Sequence, residues 1–107
     1  LVDLGLALSF WSNDAGEVGA MESTPSDADG FLTRDEICAA YLVASGEPAT
    51  DMSYYLAFAF WRNAVVLFNV AQRYASGAYG TTDPSVGSMS ARAASCLRLA
   101  QAMLGTP

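Results

Sequence analysis

The sequence predicts an all-α fold with four main helices, over about 3–12, 33–45, 51–76 and 84–104, and a long loop over 13–32. Three observations carry that expectation. Apolar residues recur at three- and four-residue intervals, no run alternates apolar and polar over the length of a turn-bounded strand, and proline is scarce.

Asp3 is placed to cap a first helix running to about Trp11, on which Leu4, Ala7, Leu8 and Trp11 share one face before Ser12-Asn13-Asp14 breaks the pattern. Residues 13–32 gather glycines, Pro25 and much of the acidic charge without periodicity, as a surface loop does. Thr33-Arg34-Asp35-Glu36 reads as a capping box, Thr33 at the N-cap and Glu36 three residues on. Ile37, Ala40, Tyr41 and Ala44 follow on one face, and Gly46 stops the helix. Thr50 is the next expected N-cap. It opens the longest segment, closed by Gly77 and about 40 Å long if helical throughout. Asp83-Pro84 sets a cap ahead of a proline at the first helical position. Val86, Met89, Ala93, Cys96, Leu97, Ala100 and Met103 then give the last helix its apolar side.

The third helix is unusual, because between Tyr54 and Tyr74 its polar residues are Arg62, Asn63, Asn69, Gln72 and Arg73 alone. A helix apolar nearly all round is expected to be buried, and three shorter neighbours cannot cover it. That points to a larger protein, or to a homodimer burying the helix against its twin. Tyr54, Tyr55, Phe58, Phe60 and Trp61 are read as core rather than as an aromatic platform. Arg62-Asn63 interrupts the one run long enough to span a bilayer, so no membrane helix is expected.

Composition excludes several function classes. Five arginines, no lysine and eleven acidic residues give a net charge of −6, which argues against nucleic acid and suits cationic ligands. Histidine is absent, so no Ser-His-Asp triad, Cys-His pair or His-containing zinc site can be built. Cys38 and Cys96 are read as small buried thiols of a reduced, cytoplasmic protein, with a bridge between them left geometrically open. The opening "LVDLGLALSFW" lacks an initiator Met, a basic region and a cleavage site, so it reads as the interior of a longer chain, not a signal peptide.

The stretch "TPSDADGFLTRDE" can be registered on a calcium loop, with Asp27, Asp29 and Glu36 at positions three, five and twelve around Gly30. Pro25 then falls at position one, where a carboxylate is needed, and Glu36 has a competing use in the capping box. No metal site is expected. No G-x-G-x-x-G, G-x-x-x-x-G-K-[ST] or G-x-S-x-G motif occurs, so no catalytic residue is assigned. Arg62 and Arg73 are eleven residues apart, close to three turns, and share a stripe with Asn69. They either pair with acids such as Asp3 or Asp51 and lock helices, or line a ligand cleft.

The order of these pieces resembles a known family. "LVDLGLALSFW" is similar to the D-L-G-x-x-L segment that follows the metal-binding loop of the aminoglycoside phosphotransferase and choline kinase-like family. "GFLTRDEICAAYLVASGEP" and "MSYYLAFAFWRNAVVLFNVAQRYASG" resemble the C-terminal helices of its branch related to acyl-CoA dehydrogenase-linked kinase domains. There a G-F-x-[ST]-R-x-E-L turn precedes a helix, and a later one reads Y-Y-x-A-F-x-x-[FW]-[KR]-x-A-V and ends in R-Y-x-x-G.

The resemblance implies that residues 1–107 are one helical subdomain, the C-terminal, substrate-side part of a protein-kinase-like fold. The parent would transfer the γ-phosphate of ATP, with Mg²⁺, to a hydroxyl of a small-molecule acceptor. Its catalytic Asp, D-x-E metal motif and nucleotide-binding Lys would all lie upstream, so this chain would not catalyse alone and would need the missing N-terminal part as partner. Asp3 matches the family's Asp in D-L-G, a helix N-cap that braces the catalytic loop. Arg62 matches the [KR] position and Arg73 the Arg of R-Y, either lining the acceptor cleft or locking helices. Phe68 and Asn69 depart from the Glu-Gly often found there.

Overall fold

The computed structural model describes residues 1–13, 28–48, 50–80 and 86–105. Among these residues there are four helices and no strand: α1 (Val2–Leu8), α2 (Arg34–Ser45), α3 (Ser53–Ala75) and α4 (Val86–Met103). The fold is all-α, as the periodicity predicts.

Asp3 does not cap α1. The N-cap is Leu1, without a side-chain bond, and Asp3 lies exposed inside the first turn, where a carboxylate complements the helix dipole. The helix also stops at Leu8, short of residue 12. Trp11 N–H turns back onto the Leu8 carbonyl at 3.0 Å, and the Arg34 side chain of α2 takes the same end of the helix.

At α2 the local chemistry is as expected: Thr33 Oγ1 accepts from Glu36 N–H at 3.2 Å, and Glu36 Oε1 accepts from Thr33 N–H at 3.0 Å. Gly46 ends the helix at φ 74°, and Glu47 N–H reaches back to the Leu42 carbonyl at 3.0 Å. At α3 the expected cap moves. Thr50 Oγ1 donates to the Pro48 carbonyl at 2.8 Å and does not stand at the N-cap position of the helix. The carboxylate of Asp51 instead accepts from Ser53 Oγ and Ser53 N–H, at 2.6 and 2.9 Å, and the N-cap position falls on Met52. An aspartate that closes a turn onto the residue two ahead competes well with a threonine cap. Asp83, the cap expected for α4, lies outside the described residues.

The packing centres on α3 and α4, with α1 laid across α3 and touching α2. Leu8, Met52, Leu56, Phe60, Ala64, Ala93, Cys96 and Ala100 form the core. α1 comes so close to α3 that a Cβ on Gly5 would stand 2.8 Å from the Tyr55 carbonyl oxygen and 2.9 Å from Tyr55 Cβ, so only glycine allows this crossing. Asn63, buried on α3, donates from Nδ2 to Ser9 Oγ at 2.9 Å, and Ser9 Oγ donates to the Leu6 carbonyl at 2.6 Å. Apolar contact and a satisfied polar relay thus fix the same crossing.

α3 is not buried all round, contrary to the reading from its composition. One side faces the core and another stays in solvent.

Candidate functional site

Arg34 is 2% exposed, the most deeply placed charge among the described residues. Its Nε donates to the Trp11 carbonyl at 3.1 Å and to the Leu8 carbonyl at 3.4 Å, and its guanidinium carbon lies 5.2 Å from the centre of the Phe60 ring. A cation at a helix C-terminus satisfies otherwise orphaned carbonyls and meets the negative end of the dipole. Arg34 N–H also donates to the Ser12 carbonyl, and Asp35 N–H to Asn13 Oδ1 at 2.9 Å. These bonds clamp the end of α1 to the start of α2. Sequence reasoning placed Arg34 in a motif but gave it no role, because its partners lie more than twenty residues away.

Beside this clamp a cleft of about 480 Å³ opens between α2 and the start of α3. Its floor is apolar, with Cys38, Leu42, Met52 and Leu56, and Asp35, Glu47 and Asp51 stand among its lining. Asp51 is committed to Ser53, whose hydroxyl first and backbone N–H second hold its carboxyl below the ordinary range. Glu36 is likewise held low, by the Thr33 backbone and then its hydroxyl. The capping-box use of Glu36 is present in the structure; of the other residues in the calcium register, Asp29 is exposed and Asp27 lies outside the described residues. Among the described residues no group of three His, Cys, Asp or Glu could hold a metal ion.

The face of α3 that remains in solvent is the stronger candidate. Tyr54, Phe58, Trp61 and Phe68 are 66, 44, 52 and 41% exposed. Of the five aromatic residues expected in the core, Phe60 is buried and Tyr55 half-buried, whereas Tyr54, Phe58 and Trp61 face outward. With Val65, the exposed residues 54, 58, 61, 65 and 68 step by four and three, the interval of a coiled-coil seam. A second seam of Phe60, Ala64, Leu67 and Ala71 lies one residue back, about 100° round the helix, and packs into the core. α3 thus carries two seams, one filled and one open. Against the open one, Leu97, Ala100 and Gln101 of α4, with Leu104 just past its end, complete a groove of about 360 Å³ with Ala57 in its lining.

Arg62, Asn69 and Arg73 are all exposed on α3. The 100° step puts them on the side of the aromatic stripe away from α4, so they do share one side, as their spacing predicts. The hydrogen bond of Arg62 runs from Nη1 to Oδ1 of its neighbour Asn63, at 3.4 Å, on the same helix. Asp3 is exposed in the first turn of α1. Cys38 and Cys96 are free thiols, half-buried and buried. Burial pushes the Cys96 thiol up to about 11, against the pull of the Arg92 cation. Burial first, and Asp35 second, raise that of Cys38. Neither is a poised nucleophile.

Comparison with family models, with curated proteins and with solved structures finds no match in any of the three. Among the described residues, no helix is long and apolar enough to cross a membrane.

Proposed function

We propose that this chain is the substrate-side helical subdomain of an ATP-dependent small-molecule phosphotransferase, inactive alone and completed by a helix docked on its α3–α4 face. The observation that carries the docking half is the open apolar seam of α3, which is built like the filled seam beside it. The phosphotransferase half is supported by the order of the resembling motifs, and the G-F-L-T-R-D-E piece supplies both the capping box and the Arg34 clamp. In this reading the missing N-terminal part of the parent brings the catalytic Asp and binds ATP and Mg²⁺ in the cytoplasm. Arg62, Asn69 and Arg73 are then available to the acceptor cleft, and exposed Asp3 to the catalytic loop.

Two experiments separate the halves. A full-length parent should carry an Asp-x4-Asn loop upstream and consume ATP in the presence of some hydroxyl acceptor; an upstream frame without that loop removes the phosphotransferase. A helical peptide with an apolar heptad seam and neutral glutamine flanks should bind the 107-residue chain and lose at least ten-fold in affinity against Phe58→Ser/Trp61→Ser. If it does not bind, the docking face is wrong.

A second reading, a free-standing interaction or dimerisation module, is favoured by the same seam, since a docking groove needs no catalytic partner. Sedimentation as a function of concentration distinguishes the homodimer within it.

A further inference from the structure

The open seam has a definite shape and a definite charge. Its residues step by four and three, the spacing that interlocks with another helix crossing at a shallow angle. Four half-exposed aromatic side chains offer roughly 400 Å² of apolar area, about half of one side of an ordinary interface. The opposite wall of the groove, with Leu97 of α4 and Leu104 just past its end exposed, adds to that.

The charge is segregated. Residues 53–75 and 86–103 contain four of the five arginines, and all eleven acidic residues lie elsewhere in the chain. Arg62 and Arg73 stand on the rim of the seam away from α4. On α4, Arg98 is one residue past Leu97, about 100° further from the core, and so marks the opposite rim; its Nη2 donates to Ser95 Oγ at 2.8 Å on the same helix. An apolar groove between cationic rims sits on a protein whose net charge is −6.

We infer that the groove takes an amphipathic helix, supplied from outside residues 1–107, whose apolar heptad stripe is flanked by aspartate or glutamate. This takes the docking face of the proposed function as given and names the chemistry of its occupant. Flanking carboxylates opposite Arg62 and Arg98 are the arrangement by which e and g positions of coiled coils choose partners. A second copy of the chain fails the same criterion: a symmetric pairing of α3–α4 faces brings arginine rims against arginine rims without one acidic residue on either helix. A bilayer surface lacks the ridge of side chains that a groove walled by Trp61 and Leu97 would admit.

The test uses the full 107-residue chain and three synthetic four-heptad peptides with one leucine-isoleucine seam and Glu, Gln or Lys at the flanking positions, titrated by fluorescence anisotropy. The Glu peptide should bind at least ten-fold tighter than the Lys peptide, and the gap should shrink at high salt. Arg62→Glu/Arg98→Glu should reverse that preference while leaving the Gln peptide unchanged, with circular dichroism confirming the fold. Equal binding of the Glu and Lys peptides, with the Gln peptide bound, overturns the acidic occupant and keeps the docking face. Failure of all three removes both. Self-association that excludes the Glu peptide, or arginine-dependent adsorption to phosphatidylserine vesicles without any peptide preference, also overturns the inference.

Discussion

A guanidinium with almost no contact with water needs partners inside the protein, and Arg34 finds them in the carbonyls that end α1 and in the face of Phe60. Removing it leaves those carbonyls unsatisfied and opens a void beside the core. Arg34→Ala should therefore cost about 2–4 kcal/mol in urea denaturation, and Arg34→Lys should restore only a fraction, because an ammonium lacks the planar fork and stacks poorly on the ring. A loss no larger than that of an exposed arginine would refute the clamp. Cys96 gives a pH dependence of known sign. Its thiol is pushed from the ordinary 9.0 up to about 11, so the unfolded chain releases this proton first. The contribution to stability is complete below pH 9 and is lost as pH rises toward 11. Cys96→Ala should flatten the alkaline decline relative to wild type, leaving the smaller part due to Cys38. Identical slopes in the two proteins would show that the buried thiol is not its source.

Which elements could be read from the sequence depended on how far away their partners lie. The Thr33–Glu36 box was legible because every atom in it comes from four consecutive residues. The end of α1 was not, since it is set by Arg34 from across the loop, and Asp51 displaced Thr50 through a two-residue turn that a cap rule does not rank. Within α3 the pattern itself was visible, apolar nearly all round, but periodicity says which residues could be buried and not what covers them. Phe60 and Trp61 look alike in the sequence, yet one is fully enclosed and the other half exposed. Phe58→Ser/Trp61→Ser should accordingly cost only about 2 kcal/mol for the pair, less than the loss of one fully buried aromatic, and sharply reduce binding of an apolar fluorescent dye. A large destabilisation would mean that these rings belong to the core after all.

At the scale of the whole molecule, two quantities describe how open the chain is. The radius of gyration is 15.1 Å, against about 13 Å for a compact domain of this length. The accessible surface is 6471 Å², against about 5,700 Å² for a folded monomer of this size. The proposed docking face is the outer side of α3, where an apolar seam stands open beside a filled one. Hydrogen–deuterium exchange of the full chain with and without the glutamate-flanked peptide tests this most directly. The account predicts added protection concentrated in residues 54–68 and 97–104, with α1 and α2 unchanged. Saturating peptide that leaves exchange in those segments unaltered, or protects the α1–α2 side instead, would contradict it.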